Sequence, residues 1–382
     1  MKRASAWLLL ALASCGVDVD STAGGLSLVD VLGGGAGDPT GFERATAPPE
    51  LQFPRDHGAH PTFRTEWWYV TGNVDSTAGR RFGVELVFFR QALAAHVPAR
   101  SATLAARDLI LAHAAVTDVD GQRFHHEERL ARLAGGLAEL AGPSDGVPFR
   151  VTCADWSLRA TPGGDGFLPL ELRANGREFS FALQATPGKP LVLQGDRGLT
   201  QKNDGAGNAS VYYSMTRLPL TGTITVGGQV HEVRGLGWLD REWSTSALGA
   251  DQVGWDWFSL QLDSGEDLMW YRLRRRDGSA DPWSRGCIVD AAGRATPIAV
   301  SKLVATPSGT WRAVDGGAAY PAQWRLQDPE GGFDLEVTPL LPDQELRTAV
   351  RYWEGAVAVR GTRLGRTVTG RGYLEMTGYT LR

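Results

Sequence analysis

Apolar and polar residues alternate along most of this chain, in short runs that end in turn-forming residues. In the run Arg81–Phe89, every second residue is apolar, which would place four side chains on one face: Phe82, Val84, Leu86 and Phe88. The preceding run, Glu66–Asn73, is aromatic and β-branched, and residues 75–79 form the break between the two. A period of two residues is typical of β-strands, so these segments predict a strand, a turn and a second strand.

The same pattern continues towards the C-terminus. One segment, Phe124–Ala141, could form a sizeable helix, although Gly135 and Gly136 interrupt it. Short strands with glycine at the turns, and no regular alternation of strands with helices, predict an all-β antiparallel sandwich or barrel with little helix. The further predicted strands are Leu109–Val119, Phe149–Arg159, Leu168–Ala174, Glu178–Ala185, Val211–Leu218, Gly222–Val226, Gln229–Gly237, Trp255–Leu262, Asp267–Arg275, Gly286–Val289, Ala322–Gln327, Phe333–Leu341, Arg351–Val359 and Thr367–Met376.

The first residues differ from this pattern and predict export. Met1–Arg3 is a short positive segment, and Ala6–Ala13 is an apolar run that is much shorter than the ~20 residues needed to span a bilayer. Small residues then precede Cys15, as in a bacterial lipoprotein signal. We therefore predict a signal peptide at residues 1–14 and lipidation of Cys15, with an ordinary secreted protein as the alternative.

A lipid on Cys15 would anchor the exported chain to a bacterial membrane without a spanning helix. Gly16, rather than Asp, follows this cysteine, which favours the outer membrane in a host that has one. Residues 15–50 are rich in glycine and predict a flexible tether between the membrane and the folded part.

The chain length and the net charge limit the number of domains and the kinds of partner that we expect. A chain of 382 residues is long enough for two domains or for one large all-β unit. A junction at Thr245–Asp251 would give domains at 51–245 and 246–382, and the loop Pro187–Gly207 is an alternative boundary. The 43 acidic residues outnumber the 39 basic ones, so there is no basic excess to bind phosphates and we expect no nucleic-acid partner.

Metal and cofactor signals are weak. His126-Glu127 begins like the helix of a zinc protease, but Leu130 stands where the second histidine would be. His57 and His60 could hold a metal, but histidines in such a loop more often anchor it against a barrel mouth. We therefore predict no metal and no other cofactor. Cys153 and Cys287 could pair in an exported protein, or could be small buried hydrophobic residues.

The densest aromatic and charged segment is 237–262. On the strand that starts near Gly254, Trp255 and Trp257 share one face with a serine and a glutamine, which suits a pocket wall better than a dry core. Asp256 lies on the opposite, apolar face and needs a partner, for which Arg241 is available. Tyr271 on the next strand adds a phenol. The alternative is a purely structural junction of stacked tryptophans and salt bridges.

An earlier strand carries a second candidate group. Strand alternation places Glu66 and Trp68 on one face, and Trp67 and Tyr69 on the other. A carboxylate beside an indole is either a hydrogen-bonding residue at a barrel end or an acid with a raised pKa. We include Glu66 and Trp68 among the candidate ligand-binding residues.

Several of these segments together resemble the AttH-like family, which is related to carotenoid 1,2-hydratase (CrtC), and whose members are often described as secreted hydrolases. The resemblance covers roughly residues 50–380 and implies two lipocalin-like β-barrel halves packed together, with a ligand site in or between them. The segments that carry it are Phe53–Pro61, Glu66–Tyr69, Gln194–Asp196, Trp238–Ser244, Gly254–Phe258 and Gly372–Tyr379.

The resemblance also implies a reaction. Family hydratases add water to isoprenoid double bonds, which a neutral carboxylic acid and indole faces can promote in an apolar cavity. In those hydratases a histidine stands two residues before the motif tryptophan, and here that residue is Arg241, which cannot act as a base. Arg241 could instead bind an anion or an oxyanion.

We therefore predict a membrane-tethered hydrolase or hydratase that acts on a hydrophobic, lipid-like or isoprenoid-like small molecule. The candidate catalytic residues are Asp240, Arg241, Glu242 and Asp256, and the candidate pocket residues are Glu66, Trp68, Trp243, Trp255, Trp257 and Tyr271. The alternative function is a non-catalytic carrier of a hydrophobic ligand.

Overall fold

The computed structural model describes residues 26–27, 39–96, 106–246, 248–315 and 318–379. The predicted signal peptide, Cys15 and most of residues 15–38 lie outside the described residues. Residues 39–50, the end of the predicted tether, contact the folded part: Ala45 is buried, and Arg44 donates a hydrogen bond to the carbonyl of Gly207 at 3.2 Å.

The described chain is almost entirely β-structure, and its helical content is two 3-10 turns, Arg55–His57 and Pro143–Asp145. The strands are β1 (Leu26–Ser27), β2 (Thr65–Ser76), β3 (Arg81–Ala92), β4 (Asp108–Asp118), β5 (Arg123–Arg132), β6 (Ala138–Ala141), β7 (Arg150–Cys153), β8 (Trp156–Ala160), β9 (Leu170–Asn175), β10 (Phe179–Ala185), β11 (Val192–Leu193), β12 (Leu199–Gln201), β13 (Ala209–Val226), β14 (Gln229–Ser244), β15 (Gln252–Leu262), β16 (Asp267–Arg275), β17 (Arg285–Val289), β18 (Ala295–Ala299), β19 (Val304–Ser308), β20 (Trp311–Arg312), β21 (Ala319–Tyr320), β22 (Gln323–Asp328), β23 (Phe333–Pro339), β24 (Glu345–Arg347), β25 (Val350–Arg363) and β26 (Arg366–Met376).

Two large sheets pack together, and strand membership changes between Ser244 and Gln252. The first sheet has the order β5-β4-β3-β2-β14-β13-β10-β9-β8-β7-β6, with β11 and β12 also paired to β13. The second has the order β18-β17-β16-β15-β26-β25-β23-β22-β19, with β24 and β1 also paired to β25. The described strand pairs are antiparallel apart from β1 with β25. The predicted all-β fold of two barrel-like halves is confirmed.

The predicted helix at Phe124–Ala141 is wrong. This segment forms β5, which pairs with β4 in a hairpin, and β6, which pairs with β7. Asp118 closes the hairpin by accepting a hydrogen bond from the backbone N–H of Gly121 at 3.0 Å. Gly135 and Gly136 both have positive φ, a conformation that ends any regular element between β5 and β6.

Each sheet encloses its own hydrophobic core, and a third core lies between the sheets. The first contains Trp68 and Trp156, and the second contains Trp270 and Trp324. The third is built from both halves, and Tyr69, Trp238, Trp257, Tyr271 and Tyr352 belong to it. The central strands are therefore buried on both faces, one towards the inside of their own sheet and one towards the other half.

The part of the chain that the structure describes contains no helix that is long and apolar enough to cross a membrane.

Candidate functional site

A pocket of about 100 Å³ lies between the two halves, beside the third core. Its wall combines many aromatic rings with three carboxyl groups and one lysine. The aromatic residues are Trp67, Tyr69, Phe89, Tyr212, Trp255, Trp257, Tyr271 and Tyr352, and the charged residues are Lys202, Asp240, Glu242 and Glu375. Tryptophan rings and carboxyl groups therefore line a pocket at the contact between the two sheets.

Strand alternation decides which predicted residues reach this pocket. On β14, Asp240, Glu242 and Ser244 face the pocket, so Arg241 and Trp243 point into the first sheet's own core. On β2, Trp67 and Tyr69 face the pocket, whereas Glu66 and Trp68 point inward. Of the ten predicted site residues, the structure brings five together here: Asp240, Glu242, Trp255, Trp257 and Tyr271.

Asp240 is a buried acid of the pocket, and both of its carboxyl oxygens accept hydrogen bonds. Its Oδ2 accepts a hydrogen bond from the Tyr212 hydroxyl at 2.5 Å. Its Oδ1 accepts from the Ser214 hydroxyl at 2.5 Å and from Trp238 Nε1 at 2.7 Å. Burial raises the pKa of Asp240 to about 7, although the three donors oppose this shift. The carboxyl group can therefore be neutral or ionised near neutral pH.

The two predicted wall tryptophans are each tied to another pocket residue. Trp257 Nε1 donates a hydrogen bond to the Tyr212 hydroxyl at 3.1 Å, and its ring packs edge-on against Tyr69. Trp255 Nε1 donates to Glu375 Oε1 at 3.0 Å. These contacts hold the indole rings in place beside the carboxyl groups of Asp240 and Glu375.

Lys202 and Glu242 form an ion pair at the pocket, with Nζ and Oε1 2.9 Å apart. The Lys202 ammonium also lies 4.4 Å from the centre of the Tyr271 ring. The hydroxyl of Tyr271 is buried and has no hydrogen-bond partner among the described residues. It can therefore donate a hydrogen bond to a ligand.

Arg241 lies inside the first sheet rather than in the pocket. Its guanidinium donates to Glu66 Oε2 at 2.5 Å and packs 3.8 Å from the centre of the Trp68 ring. Glu66 also accepts a hydrogen bond from Arg90. Although burial opposes it, Arg90 and Arg241 hold the pKa of Glu66 well below its usual range. Glu66 is therefore an ionised structural partner, and the raised-pKa interpretation of this residue is not supported.

Trp243 and Asp256 also lie away from the pocket. Trp243 stacks on His60 with ring centres 3.7 Å apart. Asp256 is fully buried and pairs with Arg274 at 2.9 Å and Arg272 at 3.2 Å. The expected pairing of Asp256 with Arg241 is wrong, because the two side chains point into the cores of different sheets.

The loop histidines are hydrogen-bonded or stacked. His57 Nδ1 lies 2.6 Å from the Tyr213 hydroxyl, and its ring stacks on Phe167. The described residues contain no group of three side chains that could hold a metal ion. Cys153 and Cys287 are both buried and free.

Residues 142–146 have the spacing Gly-x-Ser-x-Gly of a serine hydrolase. In the structure this segment is an exposed 3-10 turn, Pro143–Asp145, and it is not part of the pocket. The nearby His57 bonds to Tyr213 and not to Ser144. The segment therefore lacks the buried strand-to-helix turn of a nucleophile.

Sequence reasoning missed a group of carboxyls that comes from the β25–β26 hairpin and from β3 of the other sheet. Glu354 on β25 lies directly opposite Glu375 on β26, and Glu85 on β3 packs beside them. Burial raises the pKa of Glu85 and of Glu375 to about 8, and raises that of Glu354 well above its usual range. An isolated Glu among apolar residues of a predicted strand was the available signal for each.

The chain as a whole is similar to several solved structures. A Nitrosomonas europaea protein assigned to AttH is 34% identical, and the match covers 89% of this chain and 100% of that one with a TM-score of 0.78. Kievitone hydratase from Nectria haematococca is 16% identical over 88% of this chain and 95% of its own, with a TM-score of 0.67. The protein CghA, in complex with Sch210972, is 12% identical over 93% and 98% of the two chains, with a TM-score of 0.54.

The last two similarities concern the fold, because their sequence identities are low. A search of the curated proteins finds no match. The family model described as AttH-like matches residues 44–379, which include strands β2 to β26 and every pocket residue. The chain therefore belongs to the AttH-like family.

Proposed function

We propose that this protein is an enzyme that adds water to an apolar, isoprenoid-like or lipid-like small molecule, with Asp240 as the acid. The observation that carries the proposal is the Asp240 carboxyl, which is buried in an indole-walled pocket and has a pKa of about 7. A general acid works best when its pKa lies near the working pH, because a useful fraction is then protonated.

The reaction would begin with transfer of the Asp240 proton to one carbon of a double bond. A C–H bond forms, the other carbon becomes a cation, and Asp240 is left as a carboxylate. The rings of Trp255 and Trp257 would stabilise this cation through their negative faces. Water then attacks the cation, and the Asp240 carboxylate takes the proton that the water loses, which restores the acid.

The three hydrogen bonds to Asp240 suit this cycle. Tyr212, Ser214 and Trp238 all donate to the carboxylate form, so they stabilise the state in which Asp240 has lost its proton. The pocket supports water addition better than acyl transfer, because its described lining includes neither histidine nor cysteine. Similarity in fold to a hydratase from Nectria haematococca also favours water addition.

The pocket size limits which part of the substrate enters. Its volume of about 100 Å³ is below the ~300–1,000 Å³ of sites that enclose a whole drug-sized ligand. We therefore place only the reacting end of a longer molecule, such as one prenyl group, between the tryptophans. Lys202, Glu242 and Tyr271 would contact a polar substituent of that end.

The substrate class fits a location at a membrane surface. The sequence around Cys15 is the support for a lipid anchor, and outer-membrane attachment remains part of the proposal. Replacing Cys15→Ser should move the exported protein from the membrane fraction to the soluble fraction and abolish labelling by a radioactive fatty acid. Membrane attachment that persists in this variant would contradict the anchor.

The reaction is tested with a panel of prenylated and polyene lipids in water labelled with heavy oxygen. The expected product has gained one water molecule that carries the label. Asp240→Asn should reduce the rate by ~10²–10⁴-fold, since it removes the general acid. Asp196→Asn, which changes a surface carboxyl, is the matched control and should leave the rate unchanged.

Circular dichroism would establish that both variants are folded. Equal product formation by wild type and Asp240→Asn would rule out Asp240 as the acid. Recovery of intact lipid with the purified protein, with no labelled product from the panel, would instead favour the carrier function.

A further inference from the structure

A line of hydrogen bonds leads from the protein surface to the pocket wall through four ionisable side chains. Glu128 is partly exposed, and its Oε2 lies 3.0 Å from His113 Nε2. The other ring nitrogen, His113 Nδ1, lies 2.8 Å from the Tyr352 hydroxyl. The Tyr352 hydroxyl donates to Glu85 Oε1 at 3.2 Å. Tyr352 itself lines the pocket.

The line crosses the contact between the two halves. His113 and Glu128 are directly opposite each other on β4 and β5, and Glu85 is on β3 of the same sheet. Tyr352 comes from β25 of the second sheet. His113, Glu85 and Tyr352 are buried, so Glu128 is the member of this line that is exposed at the protein surface.

A count of hydrogens indicates what the line can do. Three hydrogen bonds need three hydrogens, and the Tyr352 hydroxyl and a neutral His113 ring supply two. The third belongs to Glu128, to Glu85 or to a doubly protonated His113. If each hydrogen moves one step along its bond, Glu128 loses a proton and Glu85 gains one, while Tyr352 and His113 end with the number they began with.

The chemistry of each member suits this transfer. Imidazole accepts a proton at one nitrogen and releases one from the other, and here each nitrogen faces a different partner. His113 contributes to the lowered pKa of the nearby His126, but His126 accepts a hydrogen bond from the backbone N–H of Arg347 and lies off the line. The second oxygen of Glu85 has no partner among the described residues, so the Glu85 carboxyl connects to the line through Oε1 alone.

We propose that Glu128, His113, Tyr352 and Glu85 form a proton path that lets the wall of the pocket exchange protons with bulk water while a ligand fills the pocket. A ligand between the tryptophans would displace water from the pocket, so the buried carboxyls would need another route to gain or lose a proton. The path enters at Glu128 on β5, which is not part of the pocket lining. It does not depend on the reaction proposed above.

The path is tested with the pocket filled by neopentylbenzene, an apolar probe without exchangeable hydrogens, by infrared spectroscopy after rapid transfer from H₂O to D₂O. The C=O stretch of a protonated carboxyl shifts when its hydrogen is replaced by deuterium, so the time course measures proton exchange. Glu85→Gln assigns the band of Glu85 by removing it. His113→Phe and Tyr352→Phe interrupt the path at successive positions.

In His113→Phe, the Glu85 band should keep its intensity and exchange more slowly by a factor of about ten or more, which corresponds to a barrier raised by at least ~1.4 kcal/mol. Tyr352→Phe should act in the same way. Glu127→Gln, on the same strand as Glu128 but paired with Arg129, is the matched control and should exchange like the wild type.

If His113→Phe does not fold, Glu128→Gln carries the test, because this residue is partly exposed and its amide can still bond to His113. Wild-type exchange rates in the folded variants would overturn the path. The proposed path would also be overturned if Glu85→Gln left the C=O bands of protonated carboxyls in the infrared spectrum unchanged. Glu85 would then hold no proton to exchange. Neither result depends on whether the protein adds water to a substrate.

Discussion

Glu354 on β25 and Glu375 on β26 occupy directly opposed positions of one antiparallel strand pair. Two ionised carboxylates in such positions repel each other. Burial is the largest cause of the raised pKa of Glu354. The charge of Glu85 from the other sheet is the second cause, and the charge of Glu375 is the third. At neutral pH these three carboxyl groups therefore bind more protons in the folded protein than in the unfolded chain.

The first prediction concerns stability and pH. The pKa of Glu375 is about 8 in the folded protein, because burial raises it from about 4.5. A raised carboxyl pKa contributes stability that is fully present below about 4.5 and is lost as the pH rises through about 8. Glu375→Gln should therefore flatten the fall in the free energy of unfolding over this range, and should make the protein more stable than wild type at alkaline pH.

Urea unfolding at a series of pH values measures this difference. Glu139→Gln, which changes an exposed carboxyl paired with Arg150, should leave the pH dependence as it is in the wild type. Parallel curves for wild type and Glu375→Gln would mean that Glu375 is ionised in the folded protein at neutral pH.

The second prediction concerns the acid itself. Tyr212 donates a hydrogen bond to Asp240 and thereby lowers its pKa against the effect of burial. Tyr212→Phe should therefore move the pKa of Asp240 above its value of about 7, and the decline of activity with rising pH should move to higher pH by the same amount. Carbon NMR of labelled aspartate carboxyls measures the pKa directly, with Asp240→Asn to assign the signal.

Tyr271→Phe is the matched control, because the Tyr271 hydroxyl also belongs to the pocket but has no partner among the described residues. It should leave the titration of Asp240 unchanged. A lower pKa in Tyr212→Phe than in the wild type would show that the hydroxyl stabilises the neutral acid instead.

The period of two residues predicted most of the fold, and it also placed the side chains of each strand on the correct pair of faces. Trp255 and Trp257 do share the pocket face, and Asp256 points the other way. The same rule applied to β14 separates Asp240 from Arg241, although the two are adjacent in the sequence. Treating residues 240–243 as one cluster therefore combined residues of two different cores.

What the pattern could not predict is which face of a strand meets the other half. Both faces of β2 and β14 are apolar enough to be buried, so Glu66 and Trp68 were as plausible at the pocket as Trp67 and Tyr69. Tyr212, Lys202 and Glu375 lie on segments far apart in the chain and meet only through the packing of the two sheets. That packing depends on the shape of whole surfaces, which no local period encodes.

The third prediction is that the Arg241 charge stabilises the fold and does not affect the acid of the pocket. Arg241 is fully buried with Glu66, so Arg241→Met removes one of the two arginines that neutralise this buried carboxylate and leaves it with Arg90 and His60. Removing one partner of a buried ion pair costs about 3–5 kcal/mol of stability. We expect a loss of this size in urea unfolding.

Arg360→Met offers the comparison at an exposed ion pair with Glu336, where a cost of about 1 kcal/mol or less is expected. The pKa of Asp240 should be the same in folded Arg241→Met as in the wild type, because Arg241 does not line the pocket. A changed pKa of Asp240 in this variant would instead show that charges inside the first sheet affect the acid of the pocket.

The fourth prediction tests whether the pocket stabilises positive charge, which the proposed cation requires. Benzyltrimethylammonium and its neutral carbon analogue, neopentylbenzene, have nearly the same shape, so any difference in their binding reports the charge. Indole faces and nearby carboxyl groups should favour the ammonium by ~1–2 kcal/mol, measured by quenching of tryptophan fluorescence. Trp255→Leu should remove most of this preference, because it deletes a half-buried ring of the pocket wall. Trp311→Leu changes a half-buried tryptophan that packs on Tyr320 in the second sheet's core, and it should retain the preference. Equal binding of the two probes to the wild-type protein would contradict a reaction through a cation, whereas the acid–base properties of Asp240 would stand independently.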